Sequence, residues 1–181
     1  MYPDLLKIRP FLKVEDTPDG RAVATGIATS DAVDCDGESA SFPETRKAYE
    51  DWSQAAYNAT TSAHQEPSYG NLRIQHGLEI AGKVIKIDYR PDQKQIWISG
   101  EAADDHVSGL LRRGILTGAS HAGRYGRRWH ADCGTDVETG RYCPTCRKEV
   151  VVSYWPILSE ISWVDKPANP SPPIPTRGFP T

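Results

Sequence analysis

His130, Cys133, Cys143 and Cys146 stand as His-x2-Cys, nine intervening residues, then Cys-x2-Cys, and three of the chain's four cysteines fall in this one window. Zinc takes four soft or borderline donors at tetrahedral corners, and two x2 pairs on tight turns deliver them without a hydrophobic core. Gly134, Gly140 and Pro144 supply the sharp backbone turns in and between the pairs. The competing readings are a disulfide with an odd thiol, or reactive cysteines. The spacing and a start, Met1-Tyr-Pro-Asp-Leu-Leu-Lys, that lacks the apolar stretch of an export signal favour the metal over both. Four protein ligands leave no open position for a substrate water, so the centre is expected to be a structural staple. It does not name the function.

A second group of residues could. Ser120 stands in Gly114-Ile-Leu-Thr-Gly-Ala-Ser-His-Ala-Gly123, where small neighbours let backbone amides and a substrate carbonyl come close to the hydroxyl. A serine hydroxyl is a poor nucleophile until a base within hydrogen-bond reach removes its proton. His76, closing Leu72-Arg-Ile-Gln-His-Gly77, is the candidate base; His64, His106 and His121 are rivals that spacing does not exclude, because such groups meet in space and not in sequence. Glu160, in Ser159-Glu-Ile-Ser-Trp-Val-Asp-Lys-Pro167, could orient the imidazole. Each has a plain alternative: a packing serine, a hydrogen-bonded interior histidine, a carboxylate in a surface ion pair.

The elements that must position these residues are legible in outline. Residues 21–30 read as a strand leading into the acidic loop 31–38. Aligning Asp34, Asp36 and Gly37 to a calcium-binding EF-hand loop leaves Ala32 at the first ligand position and Pro43 at the twelfth, which excludes that reading. Residues 43–57 predict a helix with Ser41 as its cap and Ala48, Trp52, Ala55 and Ala56 as its apolar stripe, followed by a polar loop over 58–70. Strands are expected at 72–76, 80–89 and 95–101, with a turn at 90–93 between the last two. A short helix is expected at 103–113, acidic at its start, basic at its end, with Gly114 beyond it. Residues 149–155 and 156–165 read as two further strands. Six or seven strands and two helices without a βαβ rhythm favour a mainly β or α+β fold, an antiparallel barrel flanked by helices, over a doubly wound sheet.

With 181 residues the chain is long enough for one sizeable core, so a single domain over 1–181 is expected, with 127–149 as a zinc-binding insertion and 167–181 as a proline-rich flexible tail. No apolar run reaches membrane-spanning length, so no membrane partner and a cytosolic location are expected. A formal net charge of −3 gives no overall attraction to nucleic acid, although Arg124, Arg127, Arg128, Arg141, Arg147 and Lys148 make the cysteine region locally basic, read as a solvated face.

Several short pieces occur in a distinctive order: Gly26-Ile-Ala-Thr-Ser30, Asp34-Cys-Asp-Gly37, Gln75-His76, Ile80-Ala-Gly-Lys-Val84, Trp97-Ile-Ser-Gly100, Gly114-Ile-Leu-Thr-Gly-Ala-Ser120 and Glu160-Ile-Ser-Trp-Val-Asp-Lys-Pro-Ala-Asn-Pro170. In that order and spacing, over most of residues 21–170, the chain resembles the prohead (procapsid maturation) serine proteases of tailed phages, distant relatives of the herpesvirus assemblins. The resemblance implies a helix-flanked β-barrel and a serine endopeptidase acting in the host cytoplasm and inside the immature capsid on scaffold or capsid-protein segments, with self-association into a homo-oligomer. Carried over by position, Ser120 matches the family's nucleophile, His76 its base, and Glu160 the acidic residue opening the Glu-x-Ser-x-Val-Asp motif. His121-Ala-Gly123 departs from the small apolar residue and glycine that usually follow the serine, and the cysteine insert is not a general family feature. Proximity to Ser120 makes the amides of Gly123 and Arg124 candidates for holding a reacting carbonyl oxygen. The alternative class is a protease-like barrel that has lost catalysis and uses the basic zinc hairpin to grip capsid, scaffold or nucleic acid.

Overall fold

The computed structural model describes residues 12–34, 36–138 and 140–167. In chain order these form β1 (Leu12–Asp16), β2 (Ala22–Ser30), β3 (Glu38–Ala40), α1 (Phe42–Ser62), β4 (Asn71–Ile74), β5 (Ile80–Arg90), β6 (Gln95–Ala102), α2 (Asp105–Arg112) and β7 (Gly118–His130). A separate two-stranded ladder of β8 (Tyr142–Cys143) and β9 (Lys148–Glu149) precedes the last strand, β10 (Val152–Val164). Cys35 and the proline-rich residues 168–181 lie outside the described residues.

Alternation builds the sheet. Every second residue of β6 from Ile96 to Ala102 is buried, and β2 follows the same rhythm until a register shift between Ile27 and Thr29 sets Ala28, Thr29 and Ser30 all inward. Their apolar side chains meet Leu72, Val84, Ile161 and Trp163 in one core. Trp163 needs a partner without a side chain: a Cβ on Gly100 would fall 2.8 Å from its Cζ2 and 2.2 Å from Leu72 Cδ1. The helices attach at two places. Asp104 caps α2 by accepting the Val107 N–H at 2.9 Å, and Ser108 Oγ accepts the Ala22 N–H at 3.1 Å, which ties α2 to β2.

The spine of the molecule is β10. It pairs antiparallel with β7 from Val152–His130 to Val164–Gly118, while its other edge pairs in parallel with β3 at 152–154 and with β4 at 161–163. The main sheet runs β1-β2-β6-β5-β4-β10, with β7 beyond β10. This corrects the expected antiparallel barrel: the fold is mainly β with a mixed sheet and two α-helices, and among the described residues no ladder closes it, although β7 lies against β2. Strand direction depends on how the intervening chain crosses over, which residue types along a strand do not encode.

Three further expectations change. The two strands at 149–155 and 156–165 are one: Pro156, which has no N–H to give, sits at a register shift between Trp155 and Pro156, so the strand bends there without ending. The α1 helix runs through residues assigned to a loop, to Ser62, and buries Thr45, Tyr49 and Ser53, while Ala55 is exposed. Its stripe is thus one residue round from the alanine-rich one, because the helix packs against β10 and turns Tyr49 toward His121 of β7. No helix among the described residues is long and apolar enough to cross a membrane.

Candidate active site and metal centre

After β4 the chain reverses through Ile74-Gln75-His76-Gly77, with φ of 51° at Gln75 and 56° at His76 and a Gly77 N–H to Ile74 carbonyl bond of 2.8 Å. Positive φ at both central residues is the mark of a type I′ turn, which glycine and asparagine enter freely. Gln75 and His76 enter it at roughly 1–2 kcal/mol each, so the surroundings must hold them. They do: the Gln75 N–H donates to the Trp163 carbonyl at 3.0 Å and the His76 N–H donates to Ser162 Oγ at 3.0 Å.

The same turn carries the imidazole to Glu160, whose Oε1 lies 2.6 Å from His76 Nδ1. Ser162 Oγ donates to the other carboxylate oxygen, Oε2, at 2.7 Å. A carboxylate only accepts, so Nδ1 carries a proton, and in the neutral imidazole Nε2 is the nitrogen left with the lone pair. Ser162 thus receives the backbone of His76 and gives to Glu160, and a closed ring of three hydrogen bonds sets the imidazole's position and tautomer. The Glu160 side chain is 13% exposed and that of His76 38%, so the pair sits at the rim of the fold rather than free in solvent.

Ser120 enters through the β7–β10 ladder. It is directly opposite Ser162, and Ala122 is opposite Glu160. Residues opposite each other in an antiparallel pair put their side chains on the same face, so the Ser120 hydroxyl emerges beside Ser162, on the side where Glu160 and His76 meet. The described hydrogen bonds of His76 run to Glu160 and Ser162, and none reaches Ser120. Gly123 and Arg124 continue β7, and a Cβ on Gly123 would fall 2.1 Å from the Ile157 carbonyl oxygen, so that strand contact demands glycine. An extended strand carries Gly123 about 10 Å along from Ser120. That is far for an amide that must sit about 3 Å from a reacting oxygen.

The rival histidines fall elsewhere. His64 follows the end of α1 at φ 55°, and His106 lies on the first turn of α2, both exposed. His121 is occupied at both nitrogens, with Nδ1 3.1 Å from Tyr49 Oη and Nε2 3.2 Å from Tyr154 Oη. Burial, and then the charge of His76, push its pKa from 6.5 down to about 4. The unfolded chain therefore takes up this proton near pH 6.5 and the folded chain only near pH 4. Stability is expected to fall by roughly 3 kcal/mol as pH drops through that window and then to level off. Urea unfolding between pH 7 and 4 checks this, with His121→Gln expected to remove that share of the acid sensitivity.

At the far end of the β7–β10 ladder, one ring nitrogen of His130 and the sulfurs of Cys133 and Cys143 all lie within 4.8 Å of one another. The two sulfurs are 3.4 Å apart, near the edge of about 3.8 Å that a tetrahedral zinc–thiolate centre requires. His130 is 1% exposed and neither ring nitrogen has a hydrogen-bond partner. A buried, unpaired imidazole beside two thiols is unfavourable until something accepts its lone pair, so the donors present fit a metal ion. Cys146 does not join the three within that mutual distance, but its N–H lies 3.3 Å from Cys143 Sγ, in a knuckle closed by the Arg147 N–H to Cys143 carbonyl bond of 2.7 Å.

Sequence reasoning assigned no role to Ser162, although its place two residues after Glu160 on a strand already put both on one face. It had no signal for Tyr49 or Tyr154, which reach His121 from different elements. The basic cluster near the cysteines is also less free than its composition implied. Arg127 pairs with Asp136, Lys148 with Asp132, and Arg128 with Glu38.

No family model and no curated protein sequence matches the chain. Among solved structures, the capsid assembly protease gp21 of bacteriophage T4 superposes with a TM-score of 0.55 over 83% of this chain and 90% of that one, at 9% sequence identity. At that identity the likeness speaks for the fold, and it is with a phage capsid assembly protease that this chain shares its arrangement of strands and helices.

Proposed function

We propose that the chain is a serine endopeptidase of phage capsid maturation, cleaving scaffold or capsid-protein segments in the prohead or the host cytoplasm. The observation that carries this reading is the Glu160–His76 pair, locked through Ser162 with Nε2 left free, on the face where Ser120 emerges. The fold shared with the T4 capsid assembly protease supports the substrate class.

His76 Nε2 takes the Ser120 proton as Oγ attacks the peptide carbonyl carbon, and the carbonyl π pair moves to oxygen. When the tetrahedral intermediate collapses, the C–N bond breaks and the imidazolium gives its proton to the departing amine. Water, activated by the same nitrogen, then clears the acyl group from Ser120. Glu160 holds the Nδ1 proton and offsets the imidazolium charge.

Zinc would be held by His130, Cys133, Cys143 and Cys146, and would supply cross-linking of the hairpin rather than chemistry. Self-association is part of the same reading. The rival, an inactive binding protein gripping partners through its basic hairpin, is weakened because three of its cations are already paired with carboxylates.

A fluorophosphonate probe tests the reading. It labels serines whose hydroxyl is activated by a base, and the adduct is expected on Ser120 alone. An unlabelled native chain would favour the binding-protein class.

A further inference from the structure

His121 follows Ser120 on β7, so its side chain leaves the opposite face of the strand. Peptidase chemistry has no use for it there, yet both of its ring nitrogens are committed. A neutral imidazole offers one donor and one acceptor, and the two tyrosine hydroxyls take both, one accepting from the ring N–H and the other donating to the bare nitrogen. The Tyr49 ring meets the imidazole edge-on at 5.9 Å and 63°, and Tyr154 does so at 6.3 Å and 82°. Tyr49 is fully buried.

Three elements therefore meet at one imidazole: α1 through Tyr49, β10 through Tyr154, and β7 through His121 itself. The backbone ladder cannot do this work alone. Its register shifts between Leu158 and Glu160, next to the residues that must align with Ser120, and a bulge there leaves one residue of β10 without a partner.

Building on the peptidase reading above, we propose that the Tyr49–His121–Tyr154 triangle is a positioning device that fixes β7 against β10 and α1 and so holds Ser120 Oγ in line with His76. His121 acts from behind the strand and touches no substrate. A ring of similar size without nitrogens would fill the space but leave two hydroxyls unpaired, one of them on the fully buried Tyr49, and the strand would shift to relieve them. A displacement of about 1 Å at a nucleophile lowers the rate about 100-fold.

The test uses the full chain with His121→Phe, His121→Gln and Tyr49→Phe, each followed by fluorophosphonate labelling rate, peptide turnover and thermal melting. His121→Phe is expected to slow labelling and kcat by about 10- to 100-fold with KM within about twofold, since alignment and not binding is lost. His121→Gln, which keeps a donor and an acceptor, is expected to recover to within about fivefold of the native rate. Tyr49→Phe is expected to lose about 10-fold, and the His121→Phe/Tyr49→Phe pair to lose no more than His121→Phe alone, because both break one network. The titratable groups in contact with the imidazole are Tyr49 and Tyr154, and the charge of His76, paired with Glu160, reaches it across the strand. Since His121 is not the base, the pH at half-maximal labelling is expected to be the same in all variants.

A folded His121→Phe protein labelling within twofold of native would overturn the proposal, as would equal losses in the Phe and Gln variants. If His121→Phe does not fold, Tyr49→Phe decides by the same rate, and labelling within twofold of native there counts against the triangle. A native chain that takes no label sinks the peptidase reading and the triangle with it; unchanged labelling in the variants sinks the triangle alone.

Discussion

Ser120→Ala is expected to lower peptide cleavage by at least about 10⁴-fold while leaving the melting temperature within a few degrees of native, because in the proposed mechanism the lost oxygen is the attacking atom, and among the described residues it has no structural hydrogen bond to surrender. His76→Ala should cost a similar amount, since without Nε2 nothing removes the serine proton. Glu160→Gln separates orientation from charge. The amide keeps the shape, but it can present its NH₂ to Nδ1, which selects the wrong tautomer, and losses of about 10²- to 10⁴-fold are expected. Ser162→Ala should fall between, because it frees both the Glu160 carboxylate and the His76 N–H from the same hydroxyl. The measurement is cleavage of a scaffold- or capsid-derived peptide, with circular dichroism as the folding control. Undiminished cleavage by folded Ser120→Ala protein would refute the assignment.

The other large effect concerns the metal centre. Cys143→Ser, or prolonged chelation, is expected to unfold the segment between β7 and β10 and to lower the melting temperature. Structural zinc in small modules contributes about 10–16 kcal/mol of apparent binding energy, far more than residues 131–151 could gather from their few buried apolar contacts. With no ion bound, His130 is buried with two nitrogens that have no partner among the described residues, beside a buried thiol, Cys143. Because β7 and β10 form one ladder, with two register shifts, from His130–Val152 to Gly118–Val164, amide exchange should rise first at the metal end and fade toward Ser120. Elemental analysis of protein purified without chelators should give about one zinc per chain, and a value below about half would refute the site.

Much of the scaffold was legible residue by residue. Acidic residues at the start, arginines at the end and Gly114 beyond them marked α2 closely, and β-branched and apolar residues marked β2, β5 and β6, because helix-end charge and strand propensity are local physics. The failures lie where local signals meet a tertiary demand. A proline read as a break is a bulge in β10 because β7 continues to pair on both sides of it. An alanine-rich stripe lost to Thr45, Tyr49 and Ser53 because the face of α1 is chosen by what it packs against. The first strand, β1, carries no signal stronger than its pairing with β2.

Residue types and spacing offered candidates, a His-Cys set spaced for zinc, a serine among small neighbours, several histidines and a glutamate, and the family resemblance singled out Ser120, His76 and Glu160 from among them. Only the tertiary structure decided which histidine meets the carboxylate, that Ser162 locks them, and that His121 is turned away between two tyrosines. The reason is distance along the chain. His76 and Glu160 are 84 residues apart, so their contact depends on β4 lying parallel to β10 and on a strained turn held by Trp163 and Ser162. Those are properties of strand direction and register, which emerge from the packing of the whole sheet.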